Sequence, residues 1–276
     1  MDRRRAPGQR IAFRRRYCPA MNLHDLPTPA LIIDADALER NIATMAAAHR
    51  GRSLRPHVKA HKCTALATVQ AAAGHRTFTC ATPREVLGMA MAGLGDDLLL
   101  ASEVLDARRL EAMAHAQDGA MITVAVGFRG HDRGCSPRRA APRLDRVNVG
   151  LPRCGCSPED AGRLADHARR LGLEVRGVMG YEGHLMMVSD RDVQSEQVRS
   201  SMDLLVAAHA DVGGAIISAG GTGIHDLHDH RVDPGGQLRP DGHPLRAAGF
   251  AVRAGVLRGR HRGCPERPTL GGRMSA

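Results

Sequence analysis

The chain's 276 residues suit a single large α/β domain with a substantial core, and no apolar run approaches the roughly 18 residues that a membrane-spanning helix needs. A net charge of +10 first suggests a nucleic-acid partner, but the charge is gathered in residues 1–20 (+6), 127–146 (+4) and 229–276 (+5), and 2% aromatic residues leave almost no surface for base stacking. Seven cysteines, an odd number with no CxxC pair, favour free thiols in a reducing, cytoplasmic setting over disulfides or zinc, the Cys154-Gly155-Cys156 run included.

Residues 1–20 read as a disordered or spurious extension with no apolar core of a secretory signal behind it, and Met21 is an alternative start. Residues 30–34 form a short buried strand. Leu38, Ile42, Met45 and Ala46 mark an amphipathic helix over 36–49, capped by Asp36. Residues 54–62 read as a strand, 64–73 as a helix stopped by Gly74, 77–81 as a strand and 83–92 as a helix closing at Gly93. A strand over 97–101, a helix over 106–117 and a strand over 121–126 follow. The pattern breaks at Gly127, so residues 127–145 are expected to be irregular. It resumes with a strand at 146–150, a helix at 158–171, a strand at 175–181, a helix at 189–210 and a strand at 215–219, before an irregular tail over 229–276. Strands buried on both faces that alternate with helices predict a parallel sheet with helical crossovers. The fold expected over residues 21–228 is therefore a (β/α)8 TIM-type barrel, with seven strands counted from the Lys59 strand onward and the eighth incomplete.

The chemistry centres on Leu54-Arg55-Pro56-His57-Val58-Lys59-Ala60-His61-Lys62. In a strand, Arg55, His57, Lys59 and His61 share one face. Such a crowd needs an anion, and it disfavours the ammonium form of Lys59, turning the amine into a nucleophile. An anion site joined to a reactive amine suits a Schiff base with a phosphorylated aldehyde such as pyridoxal phosphate; the plain alternative is an exposed basic edge strand. In barrels of this kind chemistry sits at the C-terminal strand ends, where Lys59, Arg153, Tyr181 and residues 220–223 all fall. Gly220, Gly221 and Thr222 suit a phosphate held by backbone amides and a hydroxyl, or an ordinary glycine turn. Arg153 suits a carboxylate, a pyridine nitrogen or solvent. Tyr181, with His184 nearby, lines a cofactor or simply finishes its strand. His225, Asp226, His228, Asp229 and His230 look metal-like but are read as a polar loop.

Together, Thr28-Pro29-Ala30-Leu31, the 54–62 string, Val149-Gly150-Leu151-Pro152-Arg153-Cys154-Gly155, Gly180-Tyr181-Glu182-Gly183-His184 and Ala219-Gly220-Gly221-Thr222-Gly223 resemble the D-threonine aldolase/D-serine dehydratase family. These are fold-type III pyridoxal phosphate enzymes with an alanine racemase-like barrel, and the resemblance runs from about Leu26 to about His228. It implies that Lys59 holds pyridoxal 5'-phosphate covalently, with His57 beside it and Tyr181 near cofactor or substrate. It implies that Gly220, Gly221 and Thr222 hold the phosphate, and that Arg153 approaches the pyridine nitrogen and keeps it unprotonated. The activity implied is a lyase acting on small D-β-hydroxy amino acids, by aldol cleavage or dehydration. An amino-acid racemase and a non-catalytic pyridoxal phosphate homeostasis protein are the alternatives. A homodimer is left open, and no nucleic-acid or membrane partner is expected.

The sequence also departs from the family. Family members close the barrel with an eighth strand and add a C-terminal β-domain that supplies ligands to a divalent metal, manganese or zinc. Neither feature is legible here; His261-Arg262-Gly263-Cys264 has the wrong spacing, so no metal ligand is assigned and weak or no activity is expected. Residues 127–145 and those from about 230 onward combine arginine excess with lost periodicity, as expected of translation out of frame. A shifted frame through 236–250 can encode a peptide like the family's eighth strand, and the coding DNA is the test.

Overall fold

The computed structural model describes residues 26–27, 30–127, 142–228, 245–247 and 254–257. Strand β1 (Ala30–Ile33) leads into helix α1 (Ala35–Ala48). The start of α1 is set by Asp34, whose carboxylate accepts the Ala37 N–H at 2.8 Å. Asp36, the expected cap, is instead an acid in the first turn, where the helix dipole still favours it. Leu38, Ile42 and Met45, spaced for one helix face, pack against Leu54 and Leu66.

The chain then runs through α2 (Thr64–Ala72), β2 (Thr77–Cys80), α3 (Pro83–Met91), β3 (Asp97–Leu100), α4 (Ala107–Ala116), β4 (Ile122–Val126) and β5 (Arg143–Arg146). It continues through α5 (Pro158–Arg170), β6 (Val175–Met179), α6 (Arg191–Val212), β7 (Ile216–Ala219) and β8 (Leu245–Ala247). Strands β2 to β8 form a seven-stranded sheet in sequence order, each pair parallel. Ahead of β2, the extended residues before Lys59 add one more stave. The Thr79 N–H donates to the Pro56 carbonyl at 2.8 Å, and His57 pairs in parallel with Thr79. Seven strands and this arm give the eight staves of an α/β barrel, but the last, β8, has only three residues. The barrel is thus incomplete at its eighth strand, as expected. A further strand, β9 (Ala254–Leu257), pairs antiparallel with β1.

Two local expectations are corrected. Residues 54–62 are not one strand: after His57 the chain tightens into a 3-10 turn at Val58–Ala60, with His57 Nδ1 accepting the Lys59 N–H at 3.2 Å. The strand expected at 146–150 lies earlier, at Arg143–Arg146, and begins inside the stretch expected to be irregular. Its charges hid it. Arg143 and Asp145 are both fully buried and pair with each other at 2.8 Å, while Leu144 faces the opposite way into the barrel.

Besides the cluster of α1 with Leu54 and Leu66, the core has two layers outside the sheet and one within. Phe78, Leu98, Leu100 and Ile122 pack under Val86, Met89 and Met113; Val178 and Ile217 pack under Ala161, Val198 and Leu205. Inside the barrel, Leu99, Ala125, Leu144, Met179 and Ile216 fill the middle. Each such large side chain contributes about 1.5–3 kcal/mol on burial. The floor below them is polar. Asp97, the first residue of β3, receives Arg55 Nη2 at 2.9 Å and Arg176 Nη1 at 2.9 Å.

Candidate active site

Tyr181 is the centre of the mouth. It follows β6 two residues after Met179, which is in the inner apolar layer, so strand alternation aims its ring into the barrel opening. Lys59 Nζ stands 5.1 Å from the ring centroid, and Arg153 Cζ, from the loop after β5, stands 5.9 Å away. Two cations therefore face one aromatic ring. The glycine turn after β7 meets the same residue: a Cβ on Gly221 would lie 3.6 Å from Tyr181 Cε2 and 2.6 Å from Met186 Cε. Gly183 has no room for a Cβ either, because the Tyr181 ring occupies that space. Lys59, Arg153, Tyr181 and Gly221 thus converge.

Lys59 stands at the mouth, exposed on one side. Burial of its other side holds its amine below the ordinary lysine range, and the charges of Arg153 and Arg146 push the same way, against Glu85. The source of that crowding differs from the sequence expectation. Arg55 is not near Lys59 but on the floor with Asp97, because alternate residues climb different heights of the barrel. His57 is held down to about 4, first by burial and then by the Lys59 charge, so it is neutral at physiological pH. His61 is also held low by burial, and its Nδ1 accepts the Cys63 N–H at 3.0 Å.

Arg146 is the residue that sequence reasoning missed. It closes β5, is 6% exposed and donates to the Ala101 carbonyl at 3.0 Å. Placing the strand at 143–146 and counting two residues on from Leu144 would have aimed it into the mouth. Behind Lys59, Lys62 adopts a left-handed backbone (φ 48°) and pairs with Glu85. Glu85 accepts the Ala81 N–H at 2.7 Å, and its own N–H donates to Thr82 Oγ1 at 3.2 Å. The turn carrying Lys59 is in this way tied to the N-terminus of α3.

Gly220 has φ 92°, and its N–H donates to Glu182 Oε2 at 3.1 Å. Its amide is therefore engaged within the protein, and an anion at this turn is left to Gly221 and the exposed Thr222. His184 lies against Gly150. In the 225–228 loop, His225 Nδ1 is 3.1 Å from His49 Nε2, Asp226 pairs with Arg191, and His228 Nε2 is 3.3 Å from Glu182 Oε1. Among the described residues, no group of three or more His, Cys, Asp or Glu is arranged to hold a metal. Asp229, His230, His261 and Cys264 lie outside the described residues. Cys63, Cys80, Cys154 and Cys156 are free thiols, and no described helix is long and apolar enough to cross a membrane.

A parallel barrel with a lysine at its mouth and a glycine turn beside it is the architecture of fold-type III pyridoxal phosphate enzymes. Residues 33–235 match the alanine racemase N-terminal domain, and the chain belongs to that family. It is 29% identical over 219 residues to D-threonine aldolase of Arthrobacter sp, covering 74% of this chain and 58% of that protein. It is 29% identical over 237 residues to 3-hydroxy-D-aspartate aldolase of Paracoccus denitrificans (strain Pd 1222), covering 79% and 60%. The chain thus spans about three-fifths of the length of these curated relatives. The crystal structure of D-threonine aldolase from Filomicrobium marinum superposes with a TM-score of 0.73 at 29% identity, over 85% of this chain and 69% of that one.

Proposed function

We propose that the chain holds pyridoxal 5'-phosphate through Lys59 and acts as a lyase on D-configured β-hydroxy amino acids. One observation carries the reading: an amine whose ammonium form is disfavoured stands 5.1 Å above the ring of Tyr181, which also meets Gly221. The residues fit such a group. Tyr181 offers a flat apolar surface, Arg153 and Arg146 offer positive charge, and the glycine turn is a cradle that a Cβ would crowd. When bound, the cofactor supplies an electron sink for the bonds around the substrate's Cα.

The chain's own residues supply the rest. Lys59 Nζ, its ammonium form disfavoured, would hold the cofactor through the aldehyde carbon, the oxygen leaving as water. Once the substrate's amine has taken that place, Nζ is free to accept a proton from the substrate's hydroxyl, for aldol cleavage, or from its Cα, for dehydration. Arg153 lies where it can orient a carboxylate or the pyridine nitrogen, Gly221 and Thr222 receive the phosphate, and neutral His57 adds no charge beside Lys59. The divalent metal expected for the family finds no ligand group among the described residues. The segments from 127 to about 142 and from about 230 onward are proposed to be out of frame, residues 143–145 being left out of that stretch because they belong to β5, and the coding DNA is decisive.

Purified protein with pyridoxal 5'-phosphate is expected to show the visible absorption of a lysine-bound aldehyde, and Lys59→Ala to lack it. Incubation with D-threonine or 3-hydroxy-D-aspartate, with manganese or zinc added, then separates the chemistries. Glycine plus an aldehyde marks aldol cleavage, and a 2-oxo acid plus ammonia marks dehydration. Loss of optical activity alone marks a racemase. Binding without turnover marks a cofactor carrier. Equal absorption in wild type and Lys59→Ala would overturn the assignment.

A further inference from the structure

Glu182 lies between Tyr181 and Gly183 and is fully buried, at 0% exposure. Its two carboxyl oxygens reach the two ends of one loop. Oε2 accepts the Gly220 N–H at 3.1 Å, and Oε1 lies 3.3 Å from Nε2 of His228, whose side chain is itself 2% exposed. The residues between are 221–227, which include the glycine turn of the mouth. The same Glu182 turn grips that loop a second time, through Met186 against Gly221 and Gly223. It is fixed in turn to the barrel wall, because the Leu185 N–H donates to the Glu182 carbonyl at 2.9 Å and Gln194 Nε2, on α6, donates to the Leu185 carbonyl at 2.7 Å.

We propose that Glu182 is a positioning residue that shapes residues 220–222 for a phosphate, by drawing the Gly220 amide to itself and anchoring the far end of the loop through His228. The inference rests on the cofactor reading above. Here the carboxyl stands beside the turn assigned to a dianion, where a second full negative charge would repel it. Burial raises the Glu182 carboxyl above its usual range, which favours the protonated form. A protonated carboxyl, with Oε1 lying near His228 Nε2, lets Oε2 accept from Gly220 while little charge faces the phosphate. A glutamine keeps the contact to Gly220, accepting through Oε1, and sets an uncharged Nε2 near His228.

The test titrates the full chain with pyridoxal 5'-phosphate and, separately, with pyridoxal, which lacks the phosphate. Glu182→Ala is expected to weaken the phosphorylated ligand at least about tenfold and leave pyridoxal within about twofold, while Glu182→Gln restores wild-type affinity for both. If Glu182→Ala does not fold, His228→Ala frees the other end of the loop and carries the same expectation. An equal loss for both ligands, or no loss for either, would falsify the positioning role, as would failure of Glu182→Gln to restore affinity. The cofactor reading fails separately, by equal absorption in wild type and Lys59→Ala. In that event equilibrium dialysis of inorganic phosphate against wild type and Glu182→Ala still decides this proposal, a weaker hold in the variant supporting it and an equal one sinking it.

Discussion

The two ends of the barrel both carry arginines, and they treat them in opposite ways. On the floor, Arg55 and Arg176 share the carboxylate of Asp97, and Arg176 also reaches Thr123 Oγ1. At the mouth, Lys59 and Arg153 face the Tyr181 ring and the Arg146 charge acts on Lys59, with Glu85 the acid that acts on it from behind. Paired charge in a buried place holds a structure in register; crowded charge at an open place waits for an anion. The contrast is sharper because one short stretch feeds both ends, Arg55 going to the floor and Lys59 to the mouth.

The comparison breaks first at the floor. Asp97→Ala strands one buried and one part-buried guanidinium group and is expected to cost about 3–5 kcal/mol in urea unfolding. Lys59→Ala, at the mouth, is expected to change stability by no more than about 0.5 kcal/mol. If the two variants unfold at the same urea concentration, the division between the ends is wrong.

Acid should loosen the mouth side before the floor. The folded-state pKa of His57 is depressed from 6.5 to about 4, so its contribution is present above 6.5 and is lost as pH falls towards 4, by about 3 kcal/mol in all. The Arg55 and Arg176 charges hold Asp97 well below 3.8 against burial, so the floor's contribution is present above 3.8 and is lost only below it. Thermal unfolding followed across this range should fall between 6.5 and 4 in wild type and fall less in His57→Gln. A drop confined to pH values below 3.8 would count against this order.

The smallest expected effect lies within the mouth. Arg153 lowers the Lys59 pKa, so neutralising it should let that pKa rise. An amine attaches an aldehyde only when unprotonated, so the rate rises as pH climbs through its pKa. Arg153→Gln should therefore move the pH profile of pyridoxal attachment upward, by about one unit or less. A profile that stays put would assign the crowding to Arg146 and burial alone.

Much of the fold was legible because it depends on local pattern. Apolar runs such as Leu98-Leu99-Leu100 and Ile122 to Val126 can only be buried on both faces, and helices between them follow from spacing and from glycine stops such as Gly74. The placing of Lys59, Arg153, Tyr181 and Gly221 at strand ends was legible for the same reason. What failed were the polar residues whose partners are far away in sequence. Asp97 is 42 residues from Arg55 and 79 from Arg176, so nothing local revealed that Arg55 belongs to the floor. The Arg143–Arg146 strand was misplaced because its charges are satisfied by buried pairing instead of water.

The amino-acid order by itself determined the alternation of strand and helix, and so a parallel barrel with Lys59 at one end, since each element needs only its own periodicity and end signals. Only the tertiary structure decided which charges are spent on each other and which are left at the mouth. It separated Arg55 from Lys59, brought Arg146 beside that amine, and gave the Gly220 amide to Glu182. The physical reason is that a charge's energy depends on its neighbours in space and on its burial, and closing a barrel sets both across distances that no local pattern encodes.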